Sequence, residues 1–319
     1  MSATDPTEAG PAAGPTVPAP EAGPVAPAPA AATDGRVTVA ACRIPARIDA
    51  PDPAIAERAV REAVAGGARL VVLPELAVCG YAFADAAEAR AAAEPADGPT
   101  VARFAALSAE LRCVVVAGFA ELGADGRVYN SAVVVEDGLR RAVYRKVHLW
   151  DREHTLFTPG DAAPPVVATA AGRIAPMVCY DLEFPEWVRR AAQDGAEIVA
   201  APVNWPWRPT PGGQDPLEVA KVRAVAGAYR VHVVAADRCG TERGVAWFEA
   251  PVIADADGNL LAGPGGPPPG EPGVLLAALD PAAARDKRLT PHNHVLRDRR
   301  PDLYRAPDPP PEGPPPWPA

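Results

Sequence analysis

The stretch IAPMVCYDLEFPEWVRRAAQDGAEIVAAPV, residues 174–203, reads as strand, turn, helix and strand. IAPMVCY (174–180) is a short apolar run, as a buried strand requires. Pro185 opens a helix, since its fixed φ suits a first turn, and Gly195 marks its end. EIVAAPV (197–203) is a second buried strand. Strands this apolar need cover on both faces, and an intervening helix supplies it. Working outward, Asp215-Pro216 reads as an N-cap followed by Pro, opening a helix to about Tyr229, and VHVVAAD (231–237) is the next strand. A hairpin follows around Asp257-Gly258, then VLLAALD (274–280). Toward the N-terminus lie RVTVAAC (36–42), a helix from Asp52-Pro53 to Gly66-Gly67, LVVLPE (70–75) and a helix over about 100–112. VVVAGFAE (114–121) and SAVVVE (131–136) follow, with turns at Gly126 and Asp137-Gly138. Apolar strands alternating with helices, plus hairpins, predict an α/β fold with mixed sheets.

The chain has 319 residues, 48% hydrophobic, and a net charge of −9. An acidic surface repels phosphates, so neither nucleic acid nor an anionic membrane is an expected partner. No apolar run reaches the roughly 18 residues that span a bilayer. Residues 1–35 hold no apolar run and are almost entirely Ala, Pro, Gly, Thr and Glu; 306–319 are Pro-rich. Both read as disordered tails, and the first lacks the features of a secretory signal. The folded body then covers 36–284, with a C-terminal segment at 285–305. The five cysteines are scattered, without CxxC, which argues against a disulfide framework or a zinc site and fits a reducing cytoplasm.

Three polar residues follow apolar runs, where active-site groups gather in α/β sheets. Glu75 ends LVVLPE, Cys179 ends IAPMVC, and Lys146 follows the hairpin strand in AVYRKVHL. Of 31 basic residues only Lys146, Lys221 and Lys287 are lysines, and Lys146 sits beside Arg145, where a cation was already available. Taken singly, each has an ordinary reading: a core thiol, a capping carboxylate, a solvated ammonium. His148 and His154 raise a Cys–His dyad, weighed below a glutamate base. His292-x-His294 has no supporting ligands for a metal. Trp150, Trp205, Trp207 and Tyr81 are aromatic candidates for a pocket wall.

PELAVCGY (74–81), YRKVHLW (144–150), EHTLFTPGD (153–161) and CYDLEFPE (179–186), in this order, resemble the motif blocks of the nitrilase, or carbon–nitrogen hydrolase, superfamily. APVNWP (201–206) and DRCGTERG (237–244) are closer to its amidase-like branch. The resemblance spans about 37–285. It implies a four-layer αββα sandwich, and a homodimer or larger homo-oligomer across which 285–305 packs. It also implies a thiol hydrolase that turns a primary carboxamide into acid and ammonia through a Cys179 thioester. Glu75 would be the general base, Lys146 and the Tyr180 backbone N–H would stabilise the oxyanion, and Glu153 would orient Lys146 or substrate. Asp181 and Glu183 would hold the nucleophile's turn or cap the next helix. No cofactor is implied. The alternatives are a carbamoyl-amide hydrolase or nitrilase, for which Tyr180 is atypical after the nucleophile, and a non-catalytic scaffold.

Overall fold

The computed structural model describes residues 35–304 apart from Pro211 and Gly213; the expected tails lie outside them, save Gly35. The first half forms β1 (Val37–Arg43), α1 (Pro53–Ala65), β2 (Leu70–Val72), α2 (Ala86–Ala92), α3 (Pro99–Leu111), β3 (Val114–Leu122), β4 (Val128–Glu136), β5 (Leu139–Arg145) and the single-turn α4 (Glu153–Leu156). The second half begins with β6 (Val167–Thr169), β7 (Gly172–Pro176), a 3-10 turn (Cys179–Glu183), α5 (Pro185–Gln193), β8 (Ile198–Pro202) and α6 (Leu217–Tyr229). It continues with β9 (His232–Ala236), β10 (Thr241–Glu242), β11 (Val245–Ala246), β12 (Val252–Ala254), β13 (Leu260–Ala262) and β14 (Gly273–Leu279). It ends with α7 (Pro281–Arg285), β15 (Arg288–Thr290) and β16 (Asn293–His294).

The strands assemble into two six-stranded sheets, β14-β1-β2-β3-β4-β5 and β6-β7-β8-β9-β12-β13. In both orders the successive pairings are antiparallel, parallel, parallel, antiparallel and antiparallel. The sequence shows no internal repeat, yet the strand plan is used twice. Side-chain alternation sorts the apolar residues into layers. Ala40, Cys42, Val71, Val115 and Val133 meet Val60 of α1 and Phe104 of α3. Val39, Leu70, Val72, Val116 and Val134 point the other way, onto Ile174, Ile198, Val234 and Ile253. The far face of the second sheet packs Val199, Val233 and Val252 against Val188 of α5 and Val222 of α6. The result is the αββα sandwich, in which each fully buried Val, Ile or Leu contributes roughly 1.5–3 kcal/mol.

Local signals behave as their chemistry demands, with exceptions. Asp52 accepts from Ala54 N (2.9 Å) and Pro53 opens α1. Asp215 does not cap α6: the N-cap is Pro216, without a side-chain hydrogen bond. LVVLPE is strand only as far as Val72; Leu73 N still donates to Val116 O, but Pro74 has no N–H to continue the ladder. Likewise β7 stops at Pro176, so Cys179 opens the 3-10 turn rather than ending a strand. The segment after α7 is tied to the body by Lys287, whose Nζ donates to Tyr229 O and Arg230 O at the C-terminus of α6. Among the described residues no helix is long and apolar enough to cross a membrane.

Candidate active site

Glu75, Lys146 and Glu153 converge where the ends of β2 and β5 meet the first turn of α4. Lys146 Nζ donates to Glu75 Oε1 and to Glu153 Oε1, each at 2.8 Å. Asn130 Nδ2 also donates to Glu75 Oε1 (2.7 Å), leaving Glu75 Oε2 buried without a hydrogen-bond partner. Glu153 accepts from Tyr81 Oη (2.7 Å) on Oε1 and from Trp150 N (3.0 Å) on Oε2. Asn204, just past β8, donates from Nδ2 to Glu75 O (3.0 Å), while its carbonyl lies 3.8 Å from Cys179 Sγ. One residue thus ties the carboxylate's backbone to the thiol. Glu75 and Lys146 are wholly buried, whereas Cys179 retains 7% of its surface and is the member a substrate can reach.

The turn that carries Cys179 is strained and held from several directions. Cys179 has φ +48°, a left-handed conformation uncommon for a residue with a side chain. Asp181 secures it, accepting from Val178 N (3.1 Å), His148 N (3.1 Å) and Tyr144 Oη (2.7 Å), with His148 Nδ1 at 2.7 Å. His148 stacks on Phe184 at 3.8 Å. His148 is thus engaged with Asp181 and Cys179 with Asn204 O, so these two side chains do not form a Cys–His dyad. Glu183 is ion-paired with Lys221 of α6. Asp181 holds the turn itself, and Glu183 fastens its end to α6.

Electrostatics follow from burial. Desolvation pushes the Glu75 carboxyl up to about 7, Lys146 opposing and Glu153 reinforcing the shift. Burial alone would lower Lys146, but Glu153 and Glu75 overcome it and hold the ammonium above its ordinary range. Cys179 is driven well above the usual thiol range by burial and then by Glu75, Lys146 acting the other way. Burial thus favours a neutral Cys179 thiol in the same field as a Glu75 carboxyl whose affinity for a proton is raised.

Loop 74–76 comes so close to β3 that position 118 must be glycine. A Cβ there would lie 2.5 Å from Leu76 N and 2.6 Å from Glu75 Cα, both backbone atoms. Gly118→Ala is expected to destabilise the fold by about 1–3 kcal/mol and to shift Glu75, lowering turnover as well. Thermal unfolding and an amide-hydrolysis assay check this; an unchanged variant would show that the loop has room to spare.

Trp150 meets Tyr180 edge-on at 4.9 Å, and Trp205 is buried in the same apolar cluster as Cys179. Trp207 is exposed. Asn130, Asn204 and Trp247, the last edge-on to Tyr81 at 5.4 Å, escaped the sequence reading. Asn130 had a signal, a lone amide inside the strand VYNSAVVVE, and Asn204 lies within the block APVNWP; Trp247 had none. Cavities of about 210 Å³ beside Cys79 and Phe119, and about 330 Å³ beside Arg145 and Asp161, are not lined by Glu75, Lys146 or Cys179. His292 and His294 lie on the β15–β16 hairpin. Among the described residues no cluster of His, Cys, Asp or Glu is placed to hold a metal ion.

The arrangement can carry acyl transfer: a nucleophile, a base and a fixed cation, with two amides bracing them. Comparison with known proteins agrees in kind. The family model described as carbon-nitrogen hydrolase matches residues 36–288. A protein named nitrilase from Pyrococcus abyssi is 34% identical over 252 residues, 78% of this chain and 91% of that one. An N-carbamoylputrescine amidase from Solanum lycopersicum is 35% identical over 290 residues, 85% of this chain and 94% of that one. Among solved structures, a Glu-to-Gln mutant of the amidase from Nesterenkonia sp. AN1 superposes with a TM-score of 0.68 at 25% identity, covering 86% of this chain and 98% of that one. It is described as showing covalent addition of the acetamide moiety of fluoroacetamide at the active site cysteine.

Proposed function

The chain belongs to the carbon-nitrogen hydrolase family, and from that premise we propose that it hydrolyses a primary carboxamide to a carboxylic acid and ammonia through a Cys179 thioester. The observation that carries this is the division of labour within Glu75. Oε1 is held by Lys146 and Asn130, while Oε2 is buried and unpartnered, ready to accept a proton.

Cys179 Sγ attacks the amide carbon as Glu75 takes the thiol proton. The carbonyl oxygen becomes an oxyanion that the Lys146 ammonium stabilises. The Tyr180 backbone N–H assists, in the first turn of the 3-10 segment, where amides lack intrahelical acceptors. The C–N bond breaks, Glu75 returns its proton to the leaving nitrogen, and ammonia departs. Water then attacks the thioester with Glu75 again as base, releasing the acid and restoring the thiol. Glu153 fixes Lys146, while Trp150, Trp205 and Tyr81 wall the approach. No step calls for a metal or organic cofactor.

A second reading, hydrolysis of a carbamoyl amide, is favoured by the relative named N-carbamoylputrescine amidase. The same steps would then end in an amine, ammonia and carbon dioxide. Intact-protein mass spectrometry after brief mixing with primary amides, nitriles and carbamoyl amines, beside an ammonia assay, tests both. A primary-amide acyl adduct on Cys179 with ammonia release is the expected result; an adduct formed only with the carbamoyl amine, of that substrate's mass less ammonia, selects the second reading. Absence of adduct and ammonia with all of them would leave the scaffold alternative standing.

Five free cysteines suit a reducing compartment such as the cytoplasm. Leu289, Leu303 and Tyr304 expose apolar surface near the C-terminal hairpin. That surface supports pairing of two copies through 285–304, which a sedimentation mass of one chain at micromolar concentration would rule out.

A further inference from the structure

Glu242, remote in sequence from the other site residues, fastens the loop that carries Tyr81 to the segment around Ile48. Its Oε2 accepts from Tyr81 N (2.8 Å) and Ala82 N (2.9 Å), and its Oε1 accepts from Ile48 N (2.8 Å). Arg238 Nη1 lies 3.3 Å from Glu242 Oε2, and both side chains are almost fully buried. The Arg238 guanidinium also sits over the Trp247 ring at 4.6 Å, and Trp247 meets the Tyr81 ring edge-on. Tyr81 is therefore fixed at its backbone by Glu242 and at its ring by Trp247, with Arg238 touching both. The neighbouring Gly80 shows how closely the carboxylate is drawn in. It has φ +81°, and a Cβ there would run into Glu242 Oε1 and lie 2.5 Å from Ile48 N.

We infer that Tyr81 is a positioning residue for Glu153, and that Glu242 with Arg238 sets it in place. The inference rests on the catalytic reading above. Tyr81 Oη donates to Glu153 Oε1, the oxygen that also receives Lys146 Nζ. A second donor on that oxygen offsets part of the carboxylate's charge, so more of the Lys146 field is left for the oxyanion. It also fixes Glu153 before substrate arrives, which is where preorganisation acts. Without the hydroxyl, Glu153 draws Lys146 more strongly and presents more negative charge to Glu75. The groups facing Glu75 are Lys146, Glu153 and Asn130, and Cys179 and Tyr81 share the same field.

The test compares Tyr81→Phe, Glu242→Gln and the double variant by kcat/KM against pH on the amide that the wild-type enzyme cleaves best, with the Cys179 adduct followed in parallel. Tyr81→Phe is expected to fold and to form the adduct. Its kcat should fall about tenfold to a hundredfold, as for loss of a hydrogen bond to a charged group. Its acid limb should move to higher pH, because an uncompensated Glu153 raises Glu75 further. Glu242→Gln should move the limb the same way, and the double variant should be no worse than the poorer single. Glu242→Asp, which keeps the charge, takes its place should the amide variant not fold. An unmoved acid limb in Tyr81→Phe, or losses that simply add in the double variant, would overturn the inference while the thiol mechanism stands. Wild-type enzyme that forms no Cys179 adduct would remove both.

Discussion

Cys179→Ala is expected to abolish ammonia release while leaving the protein folded. The substitution deletes one sulfur whose hydrogen bond, to Asn204 O at 3.8 Å, is weak. Alanine accepts the left-handed φ of +48° no worse than cysteine does. The folding cost should stay within about 1–2 kcal/mol, at the small end of buried truncations. The chemical cost is of another order, because no group remains to form the thioester. Loss of a covalent nucleophile in comparable hydrolases reduces turnover by on the order of 10⁶-fold. Substrate binding should survive, since neither Lys146 nor the aromatic wall is touched. Calorimetric titration with the best amide and a turnover assay separate the two effects. Turnover within about tenfold of wild type would mean that water is attacked directly and Cys179 is a core residue.

Glu75→Gln should reduce kcat/KM by about 10³-fold or more, within or above the range of positioned acid–base groups, since the proposed mechanism gives Glu75 four proton transfers. Gln keeps the shape and can still accept from Asn130 and Lys146, so the fold is retained while the proton acceptor is lost. The wild-type profile carries the companion signature. The carboxyl sits near pH 7 because burial outweighs the attraction of Lys146. A base must be ionised to act, so activity is present above that value and is lost as pH falls through about 7. The Gln variant should lack this limb, and its thiol should alkylate more slowly with iodoacetamide. A Gln variant with an unchanged acid limb would point to another base.

Glu75 and Cys179 were legible because a polar residue at the end of an apolar run is conspicuous. Lys146 was legible because lysine is scarce, and the other two lysines also have fixed duties: Lys221 pairs with Glu183, and Lys287 binds the last carbonyls of α6. What stayed hidden has physical reasons. α4 is a single turn, shorter than any window in which helical periodicity can appear. Pro74 cut β2 short of Glu75 by removing a donor, an effect of one atom that apolar composition does not register. Glu242 bonds to amides 160, 161 and 194 residues away, a set of partners that exists only after folding. The left-handed φ at Cys179 lies in a turn held by Asp181 and its partners on β5 and the following loop, contacts that no strand pattern encodes.

The first sheet is completed by β14, which pairs along the whole length of β1 from Val37–Leu279 to Arg43–Gly273. During synthesis β1 to β5 therefore leave the ribosome well before the strand that closes their edge. Until residue 279 emerges, VTVAACR offers an unpaired row of amides and carbonyls between two apolar faces, the kind of edge that templates intermolecular pairing. A ribosome stalled anywhere within the second sheet would leave a nascent chain with that edge still open, and its yield in vivo would depend on chaperone cover until the final strand is made.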